Sequence, residues 1–149
     1  MAQGDSKVFS EYDKKAFEGA YNNATDTFSY VLITDDYSSI DANAAAPNLA
    51  SFTQATIGGN YAGKTALTGT TWTRTGNVSS STYDQITFAA DAGNPTDAKC
   101  LLMINDTSAT DDAWRVVDLT LDGTTAVDLT QGLTVSANAA GATTITSNA

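Results

Sequence analysis

The fold of this chain is decided by an unbroken apolar run, Cys100-Leu-Leu-Met-Ile104. Successive side chains of a β-strand point to opposite faces, so a strand that is apolar at every position avoids water on both faces. An alternating segment, Ile86-Thr-Phe-Ala-Ala90, precedes the run, and another, Trp114-Arg-Val-Val-Asp-Leu-Thr-Leu121, follows it. Alternation predicts one buried face and one face in solvent. The stretch therefore predicts the central sheet of a β-rich domain.

The composition agrees with a single all-β domain. The chain has 149 residues, enough for one sizeable core, and only 16% of them are charged. Thr, Ala, Ser, Asn, Asp and Gly dominate, which is typical of Thr-rich strands joined by tight turns. We predict a mainly β chain, with a single β-rich domain over residues 10–149. An extended N-terminal arm is predicted over residues 1–9.

Four further features organise the chain. A short helix is predicted from Ser10, as N-cap, to about Ala20, and a strand from Thr27 to Thr34. The segment from Asp35 to Ser51 has no regular period, and a loop of that length is usually functional or held by a neighbouring segment. The pair Asp122-Gly123 is typical of a tight hairpin turn, so residues 126–129 are expected to pair back.

The charge of the chain excludes two classes of partner. Seventeen acidic and seven basic residues give a net charge of -10. Phosphate backbones and anionic membrane surfaces both require a basic face, so we expect neither nucleic acid nor membrane as a partner. The first residues lack the apolar core of a signal peptide, and no apolar run reaches membrane-spanning length, so we expect synthesis in a cytoplasm.

The residue types available for chemistry are few. The chain has no histidine, which removes Ser–His and Cys–His nucleophile pairs and most zinc sites. Its one cysteine, Cys100, lies inside the apolar run and is expected to be a buried structural thiol. Aspartates such as Asp91, Asp106 and Asp122 are read as turn residues. We therefore predict no enzyme, no catalytic residue, no cofactor and no metal site, although a calcium site built from two loops stays open.

A few residues are candidates for binding a partner. Lys7, Lys14 and Lys15 make the N-terminal end locally basic on an otherwise acidic chain, so this end is a candidate for docking on an acidic neighbour. Trp72 and Trp114 are large aromatic side chains on predicted strands. Each is either a core residue or an interface anchor, since exposed aromatic residues on a small acidic domain often mark a partner.

The order of motifs resembles that of small structural proteins of tailed-phage virions. The matching segments are Phe17-Glu-Gly-Ala20, Asn23-Ala-Thr-Asp-Thr-Phe-Ser-Tyr-Val-Leu-Ile-Thr34, Gly59-Asn-Tyr-Ala-Gly-Lys-Thr-Ala-Leu67, Ile86-Thr-Phe-Ala-Ala-Asp91 and Ala98-Lys-Cys-Leu-Leu-Met-Ile-Asn-Asp106. Together they span most of the chain from residue 17 to about residue 145. The chain is similar in this respect to capsid decoration (cement) proteins.

The resemblance implies a single antiparallel β-sandwich or jelly-roll-like domain and a non-catalytic function. Such a protein binds the outside of the phage capsid as a homo-oligomer, often a trimer, and joins neighbouring copies of the major capsid protein. It is made in the cytoplasm of the bacterial host and resides on the virion. The arm, with Lys7, Val8 and Phe9, is then expected to bind an adjacent subunit. Deletion of residues 1–9 is expected to give a protein that folds but no longer stays bound to the particle.

Two alternatives stay open at this point. One is a neck or tail component of the same particle. The other is a carbohydrate-binding β-sandwich for receptor recognition, in which exposed Trp72, Trp114 or tyrosine residues stack on sugar rings.

Overall fold

The computed structural model of the chain describes residues 3–76, 78–137 and 143–147. Within them lie ten strands and one α-helix, α1 (Ser10–Phe17). The strands are β1 (Ser6–Val8), β2 (Phe28–Ile33), β3 (Thr65–Leu67), β4 (Thr71–Thr75), β5 (Val78–Thr82), β6 (Ile86–Phe88), β7 (Cys100–Asn105), β8 (Asp112–Asp118), β9 (Leu133–Ala137) and β10 (Thr143–Ser147). Short 3₁₀ helices cover Tyr37–Ser39, Leu49–Ser51 and Leu129–Gln131. The predicted mainly β, antiparallel fold with one short N-terminal helix is confirmed.

The strands form three antiparallel sheets. The largest has the order β1-β8-β7-β2-β3, the second has the order β10-β9-β6, and β4 and β5 form a two-stranded ribbon. The apolar run is therefore β7, at the centre of the largest sheet, as predicted. All six of its residues are buried.

The two faces of β7 are covered by different parts of the chain. Register places Leu101 and Met103 on one face, beside Leu32 and Tyr30 of β2. The Tyr30 ring meets Phe88 of β6 edge-on, 6.1 Å between centroids, so this face packs against the second sheet as in a sandwich. The opposite face lies under the long segment of residues 35–51, because the Cys100 thiol donates a hydrogen bond to the carbonyl of Asp35 at 3.4 Å.

The segment of residues 35–51 is held by several contacts from the rest of the chain. The Lys99 ammonium binds Asp36 Oδ1 at 2.6 Å, and the Ser10 N–H donates to the Ala42 carbonyl at 2.9 Å. The Ala113 N–H donates to the Pro47 carbonyl at 2.9 Å, which ties the other end to β8. This long loop is thus held in place over the core. Its sequence alone did not decide whether the loop was functional or held by a neighbouring segment.

The N-terminal residues are part of the domain and not a separate arm. Residues 1 and 2 of the predicted arm lie outside the described residues. Residues 6–8 are β1, which pairs antiparallel with β8, and the Gly4 N–H donates to the Asp118 carbonyl at 2.8 Å. Phe9 is fully buried and contacts Phe52 at 5.9 Å between ring centroids. The predicted boundary between residues 9 and 10 is therefore wrong, because Phe9 is a core residue.

The helix is shorter than predicted and has a different N-cap. Phe9 occupies the N-cap position, and the Ser10 hydroxyl instead donates to the Ala42 carbonyl at 3.3 Å. The helix ends at Phe17 because Gly19 adopts φ +78°, the left-handed conformation that terminates helices. Phe17 consequently lies outside the core and is 91% exposed.

The predicted hairpin at Asp122-Gly123 does not form. The Asp122 carboxylate accepts hydrogen bonds from the N–H groups of Thr124 and Thr125, at 2.9 and 2.7 Å. Val127 then pairs with Ala98, its N–H donating to the Ala98 carbonyl at 2.7 Å. The Asp122 side chain thus forms a local turn in place of the predicted hairpin, and the chain after it runs to the segment just before β7.

Candidate functional site

Two of the predicted partner-binding residues lie in the core of this chain. Phe9 is 0% and Trp114 is 2% exposed. Trp114 is the extra residue of a β-bulge in β8, where the register with β7 shifts between Met103 and Ile104. Neither ring is available on the surface of this fold, so their assignment as partner contacts is corrected to core packing.

Lys7 is engaged within the chain. Its ammonium donates to the carbonyls of Tyr37 and Ile40 at 2.8 and 2.9 Å and lies 4.4 Å from the Tyr37 ring centroid. Burial of the Tyr37 phenol, with smaller contributions from nearby acidic groups, raises its pKa to about 12. Lys7 therefore fastens the covering loop to the edge strand and has little capacity left for a neighbour.

The two helix lysines have different environments. Lys15 donates to Asp112 Oδ2 at 2.9 Å, and the Tyr21 hydroxyl donates to the same oxygen. Burial opposes ionisation of Asp112, but hydrogen bonds from Thr110, Tyr21 and Lys15 outweigh it and hold the Asp112 pKa below its ordinary value. Lys14 is exposed and pairs loosely with Glu11 and Glu18 of the helix, at 3.7 and 4.0 Å. Of the three predicted lysines, Lys14 alone presents its charge openly to solvent.

Trp72 has the environment expected of an interface anchor. Its side chain belongs to β4 and is 37% exposed. The buried side of the ring packs on Trp114 at 5.1 Å and on Phe28 at 5.9 Å between centroids. Because these two rings are fixed in the core, Trp72 is held in place while part of its indole faces solvent. Such pre-ordered aromatic groups are enriched among residues that dominate protein interfaces.

A neighbouring basic residue, Arg115, was not predicted as a site residue. It lies directly opposite Val8 of β1 in the register of the sheet, and its guanidinium carbon is 5.8 Å from the Trp114 ring centroid. The half-buried guanidinium and the exposed Trp72 ring thus lie against the same buried indole. Val8, across the sheet from Arg115, is 37% exposed. The alternation of β8 did not single out Arg115, since this residue occupies what looks like an ordinary polar position.

Three other large apolar side chains are exposed at separate places. They are Phe17 at 91%, Leu121 at 82% and Ile57 at 61%. Leu121 follows β8 and, with Ala126 and Val127, lines a cavity of about 330 Å³. Phe17 ends α1, whose last turn is fixed to the opposite end of β8 by the Lys15–Asp112 pair.

The acidic side chains mostly serve local structure. Asp91 and Asp128 each accept a hydrogen bond from the N–H two residues on, at 2.7 and 2.9 Å. Asp97 binds the N–H and hydroxyl of Thr56, and Asp106 and Asp111 both bind Lys64. The described residues include no group of three or more acidic, histidine or cysteine side chains placed to hold a metal ion. The arrangement is that of turns and ion pairs.

The single thiol is buried at the centre of the sheet. Cys100 is 0% exposed, and its burial, reinforced by the charges of Asp118, Asp35 and Asp36, raises its pKa to about 12. A thiol is nucleophilic as the thiolate, so Cys100 is an inert core group at neutral pH.

Comparison with known proteins yields no relative. No protein-family model, curated protein or solved structure matches the chain. The described part of the chain includes no helix with the length and apolar character needed to cross a bilayer. Support for a function therefore comes from the order of sequence features and from the geometry of the exposed side chains.

Proposed function

We propose that this chain is a non-catalytic structural protein of a tailed-phage virion, which binds the outside of the capsid and joins neighbouring copies of the major capsid protein. The order of its sequence motifs supports this proposal. So does the placement of its exposed apolar residues, because a cement protein must contact at least two neighbours at once. The proposed protein is made in the bacterial host cytoplasm and acts as a homo-oligomer, with a trimer favoured.

The observation that carries the proposal is the position of Phe17 and Leu121 beyond opposite ends of β8. The seven residues of β8 span about 20 Å at the usual rise of a strand. Phe17 lies near the Asp112 end and Leu121 lies three residues beyond Asp118. The strand between them belongs to the buried, five-stranded sheet, so the two contacts are held at a fixed separation.

Two separated contacts suit a lattice. Burying an exposed Phe or Leu side chain stabilises a contact by about 1.5–3 kcal/mol, which is weak for one site. When one rigid domain engages two neighbours, the second contact forms at a high effective concentration, and the combined affinity exceeds either one. Modest apolar contacts at both ends of a fixed sheet are therefore sufficient for a protein repeated over a capsid surface.

The test is binding to particles of the phage that encodes the chain, after its own copies have been removed. Phe17→Ser and Leu121→Ser are each expected to weaken binding by about 10-fold or more, and the double variant to release the protein. Ile57→Ser is the matched control, an exposed apolar side chain outside this pair. Full occupancy by the double variant, or native particles imaged without the protein on the capsid, refutes the proposal.

Imaging also separates the first alternative, a neck or tail component, because the location on the particle differs. The second alternative, carbohydrate binding, is favoured by one observation, the half-exposed Trp72 indole fixed by Trp114 and Phe28. A glycan array with wild type and Trp72→Ala distinguishes it: binding lost with the indole supports a sugar-binding role, and no binding by wild type removes it.

A further inference from the structure

A cavity beyond the end of β8 combines an apolar lining with two acidic side chains. Its volume is about 330 Å³, and Leu121, Ala126 and Val127 supply its apolar surface. Asp122 and Asp128 also line it. Both carboxylates are exposed and Leu121 is 82% exposed, so the cavity is accessible from outside the chain.

The segment that lines the cavity is fixed to the core at both ends. Leu119 and Leu129, which flank the segment in the sequence, are each 0% exposed. Between them, the Val127 N–H donates to the Ala98 carbonyl at 2.7 Å. Leu121 is therefore exposed on a loop that is already ordered, and a partner that binds here loses little free energy in ordering it.

Both carboxylates in the lining carry a negative charge at neutral pH. Hydrogen bonds from the hydroxyl and N–H of Thr125, and from the Thr124 N–H, lower the pKa of Asp122. Hydrogen bonds from the Thr130 side chain and N–H lower the pKa of Asp128. The residues that line the cavity include no lysine or arginine, so the lining itself does not neutralise these two charges.

The charge of the lining determines which kind of side chain fits the cavity. A purely apolar group would displace water from two ionised carboxylates without replacing its hydrogen bonds, which is unfavourable. Lysine and arginine side chains combine an aliphatic stem with a cationic end, so one side chain can satisfy both parts of the lining. The volume is near the lower limit of small-molecule pockets, which suits a single side chain of a partner protein.

We propose that this cavity receives a lysine or arginine side chain of the major capsid protein. The aliphatic stem of that side chain packs against Leu121 and Val127, and its cationic end pairs with the carboxylates of Asp122 and Asp128. The inference rests on the proposed function and deepens it, because it specifies the chemistry that the capsid presents at the Leu121 contact.

The first test removes the two charges and keeps the turns. In Asp122→Asn and Asp128→Asn, the side-chain oxygen still accepts the N–H groups of the turn. Binding to phage particles stripped of their own copies is expected to weaken about 3-fold in each variant and about 10-fold in the double variant, as is usual for exposed ion pairs. Wild-type binding is expected to weaken by a similar factor between about 0.05 and about 0.5 M salt, and binding of the double variant to depend less on salt.

A matched control exists for the removal of charge. Asp41 Oδ1 also accepts a hydrogen bond from the N–H two residues on, that of Asn43, at 2.9 Å, and Asp41 does not line the cavity. Asp41→Asn is therefore expected to leave both the affinity and its salt dependence unchanged. Thermal unfolding of every variant shows whether a change in binding reflects a change in folding.

The second test changes the sign of one charge at an exposed position. Leu121→Lys and Leu121→Glu both remove the apolar side chain, and both are expected to fold because Leu121 is 82% exposed. The new lysine repels an incoming cation and competes with it for Asp122 and Asp128, whereas the new glutamate attracts that cation. Leu121→Lys is expected to bind particles about 10-fold more weakly than Leu121→Glu.

Several results would overturn the inference. Equal affinities of Leu121→Lys and Leu121→Glu, or a double asparagine variant with wild-type affinity and salt dependence, would show a purely apolar contact and would leave the proposed function in place. Wild-type protein that does not bind the particles removes the proposed function and this inference together. Self-association of the free protein that is lost in Leu121→Lys would assign the cavity to a second copy of the chain.

Discussion

Replacing Phe9 tests whether the N-terminal segment belongs to the core. Phe9 is fully buried and contacts Phe52, although its position in the sequence indicated a partner-binding arm. Truncating a fully buried Phe to Ala removes its transfer free energy and leaves a cavity, which typically costs about 3–5 kcal/mol. In a chain of this length, each kcal/mol lowers the melting temperature by roughly 2–4 °C, so we expect a decrease of about 10 °C.

The chain provides a matched control for this substitution. Phe17→Ala is the same chemical change, but Phe17 is 91% exposed at the end of the helix. We expect it to change the free energy of unfolding by no more than about 0.5 kcal/mol. Urea unfolding followed by tryptophan fluorescence measures both variants, because Trp114 is buried in the core and Trp72 packs on it.

Equal, small effects of the two substitutions would refute the reasoning and would show that residues 1–9 are separable from the domain. If Phe9→Ala is severely destabilised, deletion of residues 1–9 removes an edge strand and a core ring together. Such a truncated protein then loses folding stability, and its absence from particles says nothing about a gripping arm. Substitutions at exposed positions are the appropriate probes of attachment.

Three other outcomes follow from the surroundings of individual residues. The pKa of Asp112 is lower in the folded protein than its unfolded value of about 4. The ionised carboxylate therefore stabilises the fold above pH 4, and this stabilisation is lost as the pH falls through the folded pKa. The difference in free energy of unfolding between wild type and Asp112→Asn, measured by urea unfolding, should shrink below pH 4. Cys100 should react with thiol reagents at pH 8 only when urea unfolds the chain, and rapid labelling of the folded protein contradicts its burial. Gly59→Ala should lower the free energy of unfolding by about 2 kcal/mol or more, because the backbone φ is +56° and the added Cβ would lie 2.8 Å from the Gly93 backbone. Gly19→Ala, with φ +78° and open space around the added Cβ, should lower the free energy of urea unfolding by less.

The hydrophobic pattern predicted the central sheet because its signal is local. A strand that is apolar at every position needs cover on both faces, and residues 100–105 have it. The strand predicted over residues 27–34 was also found, as β2. The ribbon strand β5 was not predicted, because its Ser-rich sequence lacks apolar alternation.

The residues of the candidate functional site could be predicted only in part from the sequence. Trp72 was named from its type, and the structure gives it the partial exposure of an anchor. Trp114 was named for the same reason and Phe9 as part of the N-terminal arm, but both are buried, since the burial of one ring depends on segments far away in sequence. Arg115 carried no signal, because the burial of its Nε and Nη1 atoms without acceptors is a property of the folded surroundings and not of its neighbours in the chain.

The sequence by itself determined that this is a β-rich chain with an acidic surface, an apolar central strand and no histidine. These properties follow from residue types and their period, which each segment carries alone. The tertiary structure alone decided that residues 6–8 add a strand to the main sheet, that Lys7 fastens the covering loop, and that the Arg115 guanidinium lies beside the Trp114 ring. Each of these depends on which distant segments meet, and in an antiparallel sheet that is set by strand order and register, which local patterns leave open.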